Sequence, residues 1–159
     1  MAQASNLLGF DVFLTTDQTV TAVTGLTPIK FSGLSGYDNK TNSFVTYYDM
    51  SSAGGGYAKK VCTVQDCGQL QVTVPAEAAG DMTIFDTIDA NAGHACRVFV
   101  KYNALAQVAF GKIGVYADAI LTQKQLNDIN ENGYTGGQFT FEISGAWTSM
   151  GTPSTSTTP

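Results

Sequence analysis

The sequence predicts a mainly β chain: a β-sandwich or half-barrel with one flanking α-helix and a second short helical segment. Short runs of alternating or β-branched residues recur along the 159 residues, and turn-forming residues separate them. The 43% content of hydrophobic residues is enough for a packed core and excludes a disordered chain. We expect one β domain over residues 1–150 and a flexible Ser/Thr/Pro tail over residues 151–159, which has no apolar side chain to anchor it.

Nine segments have the composition of strands. In the first of them Phe10, Val12 and Leu14 recur at every second position, which places them on one face. The nine segments are residues 10–15, 20–23, 44–48, 61–64, 70–74, 97–102, 107–110, 113–119 and 139–144.

Two segments favour helix. Residues 77–91 follow a proline and carry Met82, Phe85 and Ile88 at a spacing of three, with Gly93 as a stop signal. The second segment begins at Thr122, where Gln125 completes a capping-box pattern, and it ends at residues 132–133, an Asn-Gly pair.

The charge content favours self-association over binding to nucleic acid. Only 13% of the residues are charged, and 13 acids against 8 bases give a net charge of -5. A chain that binds phosphates tightly needs a basic stripe, which this sequence lacks. It also lacks the run of about 20 apolar residues that a membrane span requires. Leu7-Leu8 is too short for a signal peptide, so we expect synthesis in a cytoplasm.

Three cysteines and the single histidine form the sharpest local pattern. Cys62 and Cys67 are followed by His94 and Cys96, which would face the same side of an extended strand and could complete a zinc site. A disulfide between two of the cysteines is the second interpretation. Three reduced, mostly buried thiols are the simplest one, because free cysteine is among the most buried residue types.

Catalytic patterns are missing from the sequence. It contains one histidine and no nucleophile elbow, zinc-protease motif or phosphate-binding loop. Asp81, Asp86 and Asp89 are typical of a solvated helix face rather than of a carboxylate pair for hydrolysis. We therefore expect no catalytic residue, no cofactor and no enzymatic activity.

Aromatic residues at strand spacing leave one binding function open. Rings of this kind stack on sugars in carbohydrate-binding sandwiches, although they more often belong to a core or to a subunit contact. The candidates are Tyr47, Tyr48, Tyr57, Tyr116, Phe139, Phe141 and Trp147.

The order of segments from residue 77 to residue 148 resembles the closing half of bacteriophage tail tube proteins. A helix and the strand at residues 96–102 precede residues 111–122, where Tyr116 lies between small residues. The last segment then has the form F-x-F-x-x-x-G, from Phe139 through Phe141 to Gly145.

This resemblance implies a non-enzymatic virion subunit, synthesised in the host cytoplasm. It implies hexameric rings that stack into a tail tube, with other tail proteins as further partners. DNA passes through the lumen without specific binding, which an acidic lining would favour by repelling phosphates. The glycine-rich region would contact the adjacent ring, with Gly33, Gly36, Asn39, Gly54, Gly55 and Gly56 as the assembly-loop candidates.

Two other functions remain open at this point. A capsid decoration protein or a fibre domain would share the composition but bind a lattice instead of forming stacked rings. A carbohydrate-binding β-sandwich would use the exposed aromatic residues. Strand edges that require a partner favour the ring-forming subunit.

Overall fold

A computed structural model describes residues 9–51, 53, 55–75, 80–126 and 136–153. These residues form a mainly β fold, so the predicted class is confirmed. The strands are β1 (Asp11–Thr15), β2 (Gly33–Ser35), β3 (Thr41–Tyr48), β4 (Ala58–Asp66), β5 (Gln69–Val74), β6 (Ala95–Lys101), β7 (Gly114–Leu126) and β8 (Gly137–Ser149). The helices are α1 (Thr83–Ala90) and α2 (Ala104–Phe110), and a 3₁₀ turn spans Ala92–His94.

Six strands form one curled, half-barrel sheet in the order β1-β6-β7-β8-β5-β2. All of its pairs are antiparallel. Strands β3 and β4 pair only with each other and form a separate two-stranded sheet. The two long strands β7 and β8 lie at the centre of the half-barrel and align its other strands.

One face of the half-barrel carries the core, which α1 covers. Phe85 of α1 stacks on Phe139 of β8 with ring centroids 3.7 Å apart. Ile88, one helical turn further on, is also fully buried. The predicted helix is therefore confirmed over residues 83–90, and residues 77–79 lie outside the described residues. Gly93, the predicted stop signal, has a φ of 66° in the turn that follows.

The second helical segment was predicted in the wrong place. Thr122 and Gln125 lie in β7, where Gln125 pairs with Gln138 of β8. The Thr122 hydroxyl donates to the carbonyl of Thr140 at 3.2 Å instead of capping a helix. Pairing with β8 therefore outweighs the local capping pattern. The rest of the predicted segment, from residue 127 on, lies outside the described part of the chain.

Two predicted strands are also wrong. Residues 107–110 belong to α2, because the Asn103 side chain accepts the Ala106 N–H at 2.8 Å and Gly111 closes the helix with a φ of 71°. Residues 20–23 form a loop. The other seven predicted strands are confirmed.

None of the helices in the described ranges is long and apolar enough to cross a membrane.

Candidate assembly surfaces

Strands β3 and β4, with the turn that joins them, form a hairpin over residues 41–66 that we call the arm. Every residue of both strands is exposed. Three backbone hydrogen bonds hold the described part of the tip. They run from Asp49 N–H to the carbonyl of Tyr57 at 3.1 Å, from Gly55 N–H to the carbonyl of Ser51 at 3.0 Å and from Gly56 N–H to the carbonyl of Asp49 at 2.8 Å. The arm thus has a defined shape without packing into the core.

The arm exposes large apolar side chains. Tyr48 is 67% exposed and Tyr57 is 75% exposed. An isolated two-stranded hairpin is marginal in water, and this many exposed large apolar side chains on one hairpin favour a contact with another molecule. The other exposed apolar residues of the arm are Phe44, Val45, Tyr47, Met50, Val61 and Val64.

The described assembly-loop candidates lie in the segment before the arm and at its tip. Gly33 lies in β2, Gly36 follows β2, and Asn39 leads into β3, so these three lie near the root. Gly55 and Gly56 lie at the tip with positive φ. Gly54 is outside the described residues.

Two clefts flank the root of the arm. The first has a volume of about 440 Å³ and lies between the root and the end of β8, and the second, of about 350 Å³, lies beside Tyr102. Asp38 lines both clefts. Its carboxylate accepts hydrogen bonds from Lys112 Nζ at 2.6 Å and from the Tyr102 hydroxyl at 3.5 Å. Burial, and then the nearby Asp38 carboxylate, raise the pKa of Tyr102 well above its usual range. These contacts hold Asp38, just before the arm, against Lys112 and Tyr102 of the half-barrel.

Helix α2 is the second exposed apolar element. Its residues are all at least partly exposed, with Leu105 at 80% and Val108 at 78%. Phe110 meets the Tyr102 ring edge-on at 5.3 Å, which places the end of the helix beside the root of the arm.

The face of the half-barrel opposite the core is mainly polar over β5, β7 and β8. Gln69 Nε2 donates to Glu142 Oε2 at 3.1 Å, and Gln138 Nε2 donates to Gln71 Oε1 at 3.3 Å. Asp118 of β7 lies on the same face. Side chains on this face of β5, β7 and β8 include two carboxylates and several amides but, within the described strands, neither lysine nor arginine.

Arg97 joins this face to the loop after β1. Its Nε donates to Asp118 Oδ1 at 2.7 Å and its Nη1 donates to the carbonyl of Val20 at 2.7 Å. The guanidinium lies over the Tyr116 ring, 5.1 Å from its centroid. The hydrogen bond that Arg97 donates to Asp118 raises the pKa of Arg97 further, so this side chain remains a cation.

The structure does not bring Cys62, Cys67, His94 and Cys96, the predicted zinc candidates, together into one cluster. Cys62 is exposed on the arm, whereas Cys67 and Cys96 are buried, and all three thiols are free. His94 lies outside β6 in the 3₁₀ turn, with a φ of 52°, so it does not share a strand face with Cys96. In the described ranges no three metal-ligating side chains come together.

Two of the three thiols, those of Cys67 and Cys96, are buried. Cys96 is inaccessible to solvent, and burial followed by the Asp118 charge raises its pKa to about 12. Cys67 is buried where the arm joins the body. Cys62 is therefore the one exposed cysteine of the chain.

The acidic and aromatic candidates also lie at separate places in the structure. Asp86 accepts from Lys124 Nζ at 3.3 Å on the surface, and Asp89 lies beside His94. Phe139 and Phe141 belong to the core, whereas the three tyrosines at residues 47, 48 and 57 belong to the arm. The indole N–H of Trp147 is buried by the first cleft and has no partner in the described part of the chain. The seven aromatic residues thus form no common platform for a sugar.

Comparison with known proteins identifies this architecture. No protein-family model and no curated protein sequence matches the chain. A chain from the virion of a native gene transfer agent particle has 13% identity and a TM-score of 0.55, with 87% of this chain and 95% of that chain covered. A chain from the tail of an empty gene transfer agent particle, refined with C6 symmetry, has 14% identity and a TM-score of 0.54 over the same shares.

A third solved structure has a different origin. A chain from the six-fold symmetrised baseplate of the anti-feeding prophage has 12% identity and a TM-score of 0.52, with 94% of this chain and 99% of that chain covered. At these identities the likeness concerns the fold. This chain shares its fold with components of phage-like virions, tails and baseplates.

Proposed function

We propose that this chain is a structural subunit of a phage-type tail tube, in which copies of it form stacked hexameric rings. The observation that supports this most strongly is the exposed arm on a half-barrel whose solved relatives come from tails and baseplates. The chain would act without catalysis and without a cofactor. Synthesis would occur in the host cytoplasm, and the protein would then reside in the virion tail.

Ring closure is supported by the edges of the half-barrel. The outer side of β2 and most of the outer side of β1 have no strand partner in the described chain, and only Ile29 bridges to β1, at Val12. Unpaired N–H and C=O groups at a sheet edge bind another strand readily. A ring of half-barrels satisfies both edges at once and leaves one continuous inner surface.

The polar face of the half-barrel is the candidate lining of the channel. On β5, β7 and β8 this face offers DNA amides and the carboxylates of Asp118 and Glu142, and neither lysine nor arginine. Two cations of β6 lie on the same face: Arg97 is paired with Asp118, and Lys101 lies at the end of the strand, opposite Asp11 in the register. A channel of this chemistry lets DNA slide, because each phosphate meets a neutral or like-charged wall. Transient DNA passage and contacts with other tail proteins complete the proposed partners.

The domain assignment belongs to the same proposal. Residues 1–150 would act as one β domain, and residues 151–159 as its flexible tail. Residues 154–159 of that tail lie outside the described residues.

A ring subunit of the baseplate is the second candidate function. This chain matches 99% of the length of the anti-feeding prophage baseplate chain, so a subunit of nearly this whole fold also occurs in a baseplate. Such a subunit would form one ring and stop, whereas a tube subunit continues to stack.

Electron microscopy of the purified full chain, at increasing concentration, separates these functions. The tube proposal predicts rings with a central hole that stack into filaments of constant width. Single rings that never stack favour the baseplate subunit. Monodisperse monomers at high concentration, or a flat lattice without a central hole, would overturn both.

A further inference from the structure

The turn between β2 and β3 separates the two clefts at the root of the arm and contributes residues to both. Asp38 and Asn39 line the first cleft and the second cleft alike. The clefts, of about 440 and 350 Å³, therefore adjoin along this turn. Each volume lies within the range of about 300 to 1,000 Å³ that small-molecule sites occupy. We call the two clefts together the root groove.

Aromatic rings lie in both halves of the root groove. Trp147 lines the first cleft, and Tyr37 and Phe110 line the second. Of the aromatic candidates named from the sequence, only Trp147 lies in the groove. Trp147 and Tyr37 are half-buried and pack in part against the core, so their rings are held in place before a ligand arrives. Rings fixed in this way bind a flat apolar ligand face at little cost in conformational entropy.

The backbone departs from regular strand geometry on both walls of the first cleft. Asp38 has a φ of 55°, a left-handed conformation that aspartate and asparagine adopt more readily than most residues. On the other wall β8 bulges where its register with β7 shifts, and Gly145 in this bulge has a φ of 91°. Bulges turn side chains out of the regular alternation and are frequent beside binding sites. The bulge therefore sets the position of Trp147, two residues further on.

Polar side chains between the rings provide both donors and acceptors. Asn39 and Gln65 contribute amides to the lining. The hydrogen bonds that Asp38 accepts within the described chain end on Oδ2, which leaves its Oδ1 for a ligand. The indole N–H of Trp147 is buried and has no partner in the same part of the chain, so a hydroxyl group that enters the first cleft would satisfy this donor. Hydroxyl groups suit such a lining because each one both donates and accepts.

The charges around the root groove cancel, which identifies the class of ligand. Asp38 is paired with Lys112, and the first cleft is also lined by Lys40 and Asp66, so two lysines balance two aspartates. A neutral ligand with apolar faces and many hydroxyl groups matches this lining, and carbohydrates have that chemistry. We propose that the root groove binds a neutral oligosaccharide, with neighbouring sugar units in the two clefts. This site goes beyond the proposed function and does not depend on assembly of the chain.

The single tryptophan of the chain makes tryptophan fluorescence a reporter of the first cleft. The full chain, as a free subunit, is titrated with a panel of neutral di- to hexasaccharides built from glucose, galactose, mannose, rhamnose or N-acetylglucosamine. We expect at least one of these saccharides to shift the emission of Trp147 in a saturable way. The corresponding monosaccharide should bind at least about tenfold more weakly, because it fills only one of the two clefts.

Two matched pairs of substitutions test the lining. Phe110 and Phe44 are 56% and 59% exposed, but of the two only Phe110 lines the groove. Phe110→Ser should raise the Kd at least about fivefold, whereas Phe44→Ser should leave it unchanged. Asn39→Ala and Asn42→Ala form the second pair with the same expectation, since of these two only Asn39 lines the groove. Circular dichroism checks that all four variants fold.

Three outcomes overturn the carbohydrate site. The first is that no saccharide of the panel produces a saturable shift. The second is that a saccharide binds but Phe110→Ser and Asn39→Ala bind it like the unmodified chain, which places the sugar elsewhere. The third is that a proline-rich peptide shifts the emission while no saccharide does, which assigns the groove to peptide binding. All measurements use the free subunit below the concentration at which it assembles, so the proposed function is tested separately.

Discussion

At Gly36 the backbone leaves β2 with a φ of 86°, close beside β5. A Cβ at this position would overlap the carbonyl oxygen of Gln69. The residue was selected from the sequence as part of an assembly loop, and in the structure it also holds the edge strand against the sheet. A turn-forming residue in a sequence does not reveal which neighbour it must approach, because that neighbour lies 33 positions further along the chain.

Replacing Gly36 by alanine should destabilise the fold by about 3 kcal/mol, because positive-φ strain and backbone overlap add. Gly111→Ala is the matched control, since Gly111 has a φ of 71° but open space around its Cβ position. That control should cost about 1 kcal/mol. Urea unfolding of both variants measures the difference, and equal losses would contradict the close approach at Gln69.

Arg97 is the best-connected charged side chain of the polar face. It donates to a carboxylate and to a backbone carbonyl and lies over a tyrosine ring. The sequence places Arg97 in a strand but does not show that Asp118 lies opposite, because strand pairing is a non-local property.

Arg97→Lys should lower the free energy of unfolding by about 1 to 3 kcal/mol. Lysine keeps the charge but cannot make both hydrogen bonds and stack at the same time. Proteolysis should also become faster in the loop after β1, which Arg97 holds through Val20. The Lys101→Arg variant is a control on the same strand. Unchanged stability and unchanged cleavage in Arg97→Lys would show that the network contributes little.

Among the elements, the arm shows what periodicity reveals and what it does not. Both of its strands were predicted, since β-branched and aromatic residues dominate residues 44–48 and 61–64. That they pair only with each other could not be predicted, because edge pairing depends on where the rest of the sheet closes. The signals of α2 were present in Asn103 and Gly111, but the apolar residues 107–110 resemble a short strand as closely as a short helix.

Replacing residues 42–65 by an Asn-Gly turn should leave the half-barrel folded and abolish assembly. Thr41 and Asp66 are paired neighbours at the root, so a two-residue turn can join them. None of the described residues of the excised segment belongs to the core. We expect the free energy of unfolding of the shortened chain to lie within about 1 kcal/mol of that of the full chain.

Calorimetry measures whether this shortened chain folds, and size-exclusion chromatography measures whether it assembles. A chain that unfolds would show that the arm supports the body. A chain that still forms rings would show that the arm is not the assembly element.

For the whole molecule, one face of the half-barrel carries the core, and the opposite face carries the proposed channel lining. The core face was predictable from period-two apolar residues such as those of β1 and β8. The strand order was not predictable, because β6 pairs with β1 across about 80 intervening positions. The two carboxylates of the proposed lining, Asp118 and Glu142, could be assigned to one face only from the strand register.

Placing lysines on the polar face should make assembled tubes retain DNA. The double variant Q71K/Q138K adds two cations per subunit to the proposed lining, and each cation can hold a phosphate. Co-sedimentation of DNA with tubes at low salt should appear for this variant and disappear at high salt. The Q71N/Q138N variant, which stays neutral, should retain none. Equal DNA retention by both variants would place this face away from the channel.

Native mass measurement at increasing concentration tests the central claim, self-assembly through the arm, most directly. The subunit mass is 16.8 kDa, so a closed ring of six has a mass of about 101 kDa. The account predicts particles at that mass and its multiples for the full chain, and single subunits for the chain without residues 42–65. A full chain that remains a single subunit at every concentration would contradict it.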